Sequence, residues 1–189
     1  MTDGKNGLPE DFDLLTEFNS GDGGAFTRIV EKHSGRLINF LFRYTLDRGE
    51  AEDLAQEAFL RLYKAAPGLT PGAKLSTILF KFAYNLAVDQ ARRNTNRSSL
   101  AGASSLDSPE AAGAADPAPG PDAAYEAARR SEEIAGALAG LPDTQRGALL
   151  LKVFEDRSYA EIAEIMALSV PAVESLLFRA RQTLAKKLK

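Results

Sequence analysis

The chain has 189 residues, with 23 Lys+Arg against 26 Asp+Glu, a single His, and neither Cys nor Trp. The absence of cysteine excludes disulfide frameworks, thiolate zinc sites and cysteine nucleophiles, and a lone histidine argues against a His-based metal site or a Ser/His/Asp triad. No apolar run approaches the roughly 20 residues that span a bilayer, and the polar, acidic start from Met1 to Phe12 predicts no secretory leader. The expectation is a cytoplasmic protein without membrane insertion, metal, cofactor or catalytic chemistry of its own.

Net charge −3 is unlike a typical nucleic-acid binder, but it is not evenly spread. The last fourteen residues, Leu176 to Lys189, hold five basic side chains and no acidic one. Such a run marks either a solvated face that complements the helix dipole or a local patch for phosphates. Residues 94–124 are different again: 21 of these 31 positions are Ala, Gly, Pro or Ser, with Arg97 the only cation. With almost no large apolar side chain, this segment cannot offset its ordering entropy and is expected to be a flexible linker. Such a tether lets two modules reach separate sites on a large partner; the alternative is a merely tolerated insertion.

The module before the linker reads as helical throughout. Phe26, Ile29, Val30, His33, Leu37, Phe40, Leu41 and Tyr44 recur at i, i+3, i+4, i+7, the core stripe of a long helix, and His33 lies on it as a packed core residue. Residues 47–50 are read as the break, with Gly49 as punctuation. A second stripe follows in Ala51, Leu54, Ala55, Ala58, Phe59, Leu62 and Tyr63, ended by a loop containing Pro67, Gly68, Pro71 and Gly72. A third helix is expected from about Lys74 to Arg93, with Leu75, Ile78, Leu79, Phe82 and Leu86 buried. Its Phe80 and Tyr84 lie i, i+4 on another face, beside Lys81, Asn85, Arg92 and Arg93. Rings interleaved with cations suit unstacked bases, which stack while phosphates are held; a helix buried on two sides has the same spacing.

The module after the linker begins near Tyr125. Ile134, Leu138 and Leu141 mark one helix stopped by Gly140 and Pro142, and another runs to about Phe154. Ser158-Tyr159-Ala160-Glu161 matches a capping box that opens a short helix. A tight turn at Ala167–Val170 leads to a longer helix carrying Val173, Leu177, Ala180 and Leu184, with Ser169 as its N-cap. Short helix, tight turn and basic-tailed helix form the pattern of a DNA-binding helix-turn-helix, although an ordinary helical hairpin shares it.

At these residues a family resemblance emerges. The run Ala51-Glu52-Asp53-Leu54-Ala55-Gln56-Glu57-Ala58-Phe59-Leu60-Arg61-Leu62-Tyr63 resembles the polymerase-binding helix of bacterial sigma factors of the extracytoplasmic-function (ECF) group. Leu141-Pro142 through Leu149-Leu150-Leu151, then Ser158 to Ala163, then Phe178-Arg179-Ala180-Arg181, resemble the fourth domain of the same family. The resemblance implies an all-α protein of two small helical domains. Sigma domain two would occupy residues 10–95, a flexible linker 96–124, and a helix-turn-helix domain four 125–189.

It also implies function and partners. Domain two would dock on the clamp helices of the largest core RNA polymerase subunit through Asp53, Gln56, Glu57 and Arg61. It would then open the −10 promoter element through Leu69, Phe80, Lys81, Tyr84, Asn85, Arg92 and Arg93. Asn85 is the best-suited reader of a flipped base, because an amide presents both a donor and an acceptor. Domain four would meet the flap of the second-largest subunit and place Glu174, Ser175, Phe178, Arg179 and Arg181 in the major groove of the −35 element. An anti-sigma factor is the implied inhibitor, and the ending just after the basic helix predicts no added sensor domain.

Three positions depart from the family pattern. Glu174 and Leu176 stand where relatives commonly carry basic residues. Glu174 suits a cytosine amino group in the groove, repulsion by phosphate, or a basic group on an inhibitor. Ile78 stands where Trp is common, a simple core substitution. Two other functions are compatible with parts of the sequence: a dimeric helix-turn-helix regulator, which leaves residues 51–63 idle, and a sigma-like decoy that binds polymerase without starting transcripts.

Overall fold

The structure, a computed structural model, describes residues 8–70, 74–101 and 133–187. The rest of the expected linker, the start of domain four at Tyr125, and Pro71, Gly72 and Lys189 lie outside them. All regular elements among the described residues are helical. The first unit comprises α1 (Leu8–Asn19), α2 (Gly23–Thr45), α3 (Arg48–Ala65), a short 3-10 turn at Ala66–Gly68, and α4 (Leu75–Ala101). The second comprises α5, whose described part covers residues 133–139, α6 (Asp143–Val153), α7 (Tyr159–Met166) and α8 (Val170–Lys187).

Local chemistry sets the helix ends. Asp22 caps α2 by accepting from the Gly24 N–H at 2.9 Å, and Asp47 caps α3 by accepting from the Glu50 N–H at 2.8 Å, each satisfying an orphan donor of the first turn. The break between α2 and α3 is not made by Gly49, which sits inside the first turn of α3. Leu46 makes it instead, in the left-handed region at φ 62°, with its N–H bonded to the Phe42 carbonyl. The polypeptide turns there without a glycine because two capping interactions flank it.

Most residues of the expected stripes are buried; Tyr63, at the end of the second, is 51% exposed, and Phe26, Val30, Ile78 and Phe82 are partly buried against the core. Ile29, Leu37, Phe40, Leu41 and Tyr44 of α2 meet Ala51, Leu54, Ala58, Phe59 and Leu62 of α3 and Leu75, Leu79 and Leu86 of α4 in one core. His33 is buried at 8% exposure, its Nε2 3.1 Å from Asp11 Oδ2, while Lys32 Nζ lies 2.8 Å from the other carboxylate oxygen, Asp11 Oδ1. Burial pushes the Asp11 carboxyl up, but the bonds and charges of His33 and Lys32 outweigh it and hold it below its ordinary range.

Three further features differ from expectation. The helix α1 was not anticipated; it packs Phe12 and Leu15 on the core. Helix α4 continues past Arg93 to Ala101, into residues whose composition reads as linker. There Asn94 donates across to Glu50 of α3 and Thr95 back-bonds to the Ala91 carbonyl, so one tertiary and one local hydrogen bond support a polar helical turn. Ile134, expected to be inward, is 49% exposed, while Leu138 and Leu141 are buried.

The two units do not stand apart. Helices α6 and α7 pack on α2 and α4, and the buried apolar side chains of both units form one continuous cluster.

Candidate nucleic-acid and polymerase interface

Helix α3 presents a solvent-facing stripe opposite its buried face. Asp53 and Gln56 are exposed. Glu57 and Arg61 are half-exposed and pair with each other at 3.1 Å, an i, i+4 contact worth only a few tenths of a kcal/mol. Between these polar groups lies Leu60, 51% exposed, with Tyr63 equally exposed one turn on. Leu60 was not among the residues expected on this face, although it follows Gln56 by four positions and Glu57 by three. An apolar side chain ringed by polar ones is the usual anatomy of a protein-binding patch.

Helix α4 divides the expected base-reading residues between two faces. Asn85, Arg92 and Arg93 are exposed and Lys81 is half-buried, so an amide and three cations share one side. Phe80 and Tyr84 do not join them at the surface: they are 1% and 5% exposed. Phe80 packs edge-on against Phe40 at 5.3 Å and Tyr84 against Tyr44 at 6.2 Å. Helix α4 is therefore buried on two sides here, the second of the two readings its spacing allowed. Burial, aided by the charge of Asp143, pushes the Tyr84 phenol up to about 12. Leu69 follows the 3-10 turn with its N–H bonded to the Ala66 carbonyl at 3.2 Å, and packs half-buried against the core.

In the second unit α7, its turn and α8 form the expected helix-turn-helix. Both halves of the capping box are present: Glu161 N–H donates to Ser158 Oγ, and the Ser158 N–H to Glu161 Oε2 at 2.9 Å. The turn is made by Ala167 at φ 54°, with the Leu168 N–H bonded to the Ala163 carbonyl at 2.9 Å. Ala172 N–H reaches Ser169 Oγ at 3.4 Å, a long capping contact. Val173, Leu177 and Ala180 anchor α8. Glu174, Ser175, Phe178, Arg179 and Arg181 all stand exposed on its outer side, Phe178 at 63%.

Glu161 is also tied to Lys74 at 3.1 Å. Burial works to raise its pKa, but the Ser158 backbone and hydroxyl bonds and Lys74 together pull it down to about 2 from 4.5. A depressed carboxylate stabilises the fold above its unfolded pKa and stops doing so as pH falls through the folded value. Glu161 therefore contributes on the order of 2–3 kcal/mol near neutrality, lost between about pH 4.5 and pH 2. Urea unfolding at pH 7 and pH 3 checks this. Glu161→Gln is expected to be less stable than the parent at pH 7 and to lose less on acidification; equal losses would contradict it.

Among the described residues no cluster of His, Asp or Glu could hold a metal ion, and no helix is long and apolar enough to cross a membrane.

Comparison with known proteins agrees with this layout. The Sigma-70 region 2 family matches residues 29–97 and the Sigma-70, region 4 family matches residues 131–184. The chain is 30% identical to the RNA polymerase sigma-H factor of Pseudomonas aeruginosa, covering 95% of this chain and 94% of that one. It is also 30% identical to the ECF RNA polymerase sigma factor SigW of Bacillus subtilis, covering 93% and 95%. Among solved structures, CnrH in complex with the cytosolic domain of CnrY superposes with a TM-score of 0.70 at 23% identity, over 95% of this chain and 97% of that one. RpoE of Bartonella quintana in complex with the anti-sigma factor NepR gives 0.67 at 22% identity, over 86% and 96%. Those two identities speak to the fold alone. The matched regions lie in the order of the two helical units, and the relatives span nearly the whole chain: this protein belongs to the ECF RNA polymerase sigma factors, which are transcription initiation factors and not enzymes.

Proposed function

We propose that the chain binds core RNA polymerase through the α3 stripe and directs it to promoters read at two elements. The observation that carries this reading is the exposure of three separate surfaces of matching chemistry: Asp53, Gln56 and Leu60 on α3, Asn85, Arg92 and Arg93 on α4, and Ser175, Phe178, Arg179 and Arg181 on α8. The first surface suits the clamp helices of the largest polymerase subunit. The second suits the unstacked non-template strand of the −10 element, and the third the major groove of the −35 element, with the flap of the second-largest subunit beside it. Domain two is assigned to residues 10–95 and domain four to residues 125–189.

The charge balance explains why polymerase is needed. With net charge −3 and only a few cations on the two surfaces proposed to meet DNA, few phosphates are neutralised and the free chain binds duplex DNA weakly. Docking on one rigid polymerase converts two weak contacts into a bivalent one with a high effective concentration. Strand opening then needs no hydrolysis, because binding of unstacked bases offsets the lost pairing. A chain with these partners works in the cytoplasm. An anti-sigma factor is the expected regulator, a reading supported by the Bartonella quintana protein, which is bound to the anti-sigma factor NepR. Run-off transcription with and without the chain tests the reading.

A further inference from the structure

We infer that Asp89 of α4 reads an unpaired guanine, the neighbour of the base held by Asn85. The inference rests on the assignment of α4 to the non-template strand and names the base that this surface selects.

Asp89 is exposed on the same side of α4 as Asn85, Arg92 and Arg93, with Lys81 half-buried beside them. At about 100° per residue, Asn85, Asp89 and Arg92 lie within about 60° of one another, opposite the face that buries Phe80, Ala83 and Ala87. An acid in the middle of a surface for a polyanion calls for a reason, and the ordinary ones are missing. Asp89 is far from both ends of a helix that runs from Leu75 to Ala101, so the helix dipole that favours acids at a first turn has no hold there. Arg92 and Arg93 follow at i+3 and i+4, the positions of an intrahelical pair, yet Asp89 forms no ion pair among the described residues. Aspartate is also a weak helix former in an interior.

Base chemistry supplies the reason. An ionised carboxylate is acceptor-only, with two oxygens side by side. Bases out of the stack show their Watson–Crick edges, and guanine alone carries two adjacent donors there, N1–H and the N2 amino group. Both donate to one carboxylate, a bidentate and charge-assisted pair. Thymine offers N3–H between two carbonyl oxygens, which repel the carboxylate. Cytosine and adenine offer an amino group beside a bare ring nitrogen, so one carboxylate oxygen faces a lone pair. Asp89 therefore selects guanine by attraction and rejects the other bases by repulsion.

The spacing fits two neighbouring bases. Four residues of helix advance about 6 Å, against about 3.4 Å for a stacked step along one strand. Asn85 and Asp89 thus match adjacent bases drawn apart rather than stacked. Lys81 precedes this pair on the helix and Arg92 and Arg93 follow it, so flanking phosphates meet positive charge and not the carboxylate.

The test uses the full chain on core polymerase. Its probe is the fluorescein-labelled non-template strand of a promoter that the parent holoenzyme opens, with hypoxanthine replacing each guanine in turn. Hypoxanthine keeps N1–H and lacks only the N2 amino group. One replacement, next to the position at which Asn85→Ala loses its base preference, is expected to lower the affinity of the parent about tenfold. In Asp89→Ala the same replacement is expected to change affinity less than about twofold, with helical content and core binding unchanged, because the site is exposed and alanine is the better helix former. Equal sensitivity in parent and variant, or an opened segment without a guanine that matters, would overturn the inference. Tighter binding of every strand by Asp89→Ala would overturn it too, as the mark of an acid that only repels phosphate. A wrong assignment of α4 shows differently: replacing Arg92 and Arg93 together by Ala would then leave affinity for the strand at the parent level.

Discussion

Leu60→Asp is expected to lower affinity for core polymerase about 30-fold or more while the helical content stays intact. Leu60 is 51% exposed on α3 and makes no part of the core, so the free protein gains rather than loses solubility from the change. In a complex the side chain becomes the apolar centre of a stripe whose rim is Asp53, Gln56, Glu57 and Arg61. Central, fully desolvated anchors are where truncation costs 2 kcal/mol or more, about a 30-fold change, and rim charges typically cost far less. Exposed charges such as Asp53 contribute mainly to steering and register. Fluorescence anisotropy of labelled protein titrated with core polymerase measures the effect. Normal affinity in Leu60→Asp, and in a chain with Asp53 and Gln56 both replaced, would remove α3 from the polymerase interface.

Asn85→Ala is expected to weaken strand opening about 10- to 100-fold and to leave core binding unchanged. The amide is exposed, so deleting it strands no buried partner and costs the fold little. It shares its side of α4 with Lys81, Arg92 and Arg93, cations suited to phosphates, whose contacts carry no sequence information. A bidentate amide–base contact is worth about 1–3 kcal/mol of discrimination, the range behind the expected loss. Permanganate reactivity of unpaired thymines at a promoter used by the parent holoenzyme reads opening directly. An equal loss of core binding would show that Asn85 is structural.

Much of the fold was legible because its signals are local. The periodicity of α2 and α3 and the S-x-x-E box before α7 each report on a short window, and short windows are what a single sequence shows. Where a tertiary contact decided the outcome, the reading stopped short. Phe80 and Tyr84 have the spacing of an exposed stacking platform and of a second buried face alike; only the arrival of Gly147 and Arg157 on their rings selects burial. Glu155 and Arg157 read as turn residues, yet they are buried because their charges meet Arg36 and Glu161. Leu46 takes a left-handed conformation that its residue type disfavours, which capping by Asp47 over-determines. Helix α1 carried a readable signal, Phe12 and Leu15 at helical spacing, masked by its acidic neighbours.

The residues of the site divide in the same way. Those on α3 and α8 stand exposed or half-exposed, because an amphipathic helix leaves its polar face to solvent. Glu174 remains on the outer face of α8, so the upstream element it meets should not be borrowed from relatives with a basic residue there.

The most direct measurement is run-off transcription on fragmented source genomic DNA, with core polymerase alone and with core polymerase plus this chain. The account predicts new discrete start sites that appear only with the chain and share two spaced sequence elements, the upstream facing Glu174 and Arg179 and the downstream facing Asn85. Confirmed binding to core polymerase with no new transcripts would contradict it.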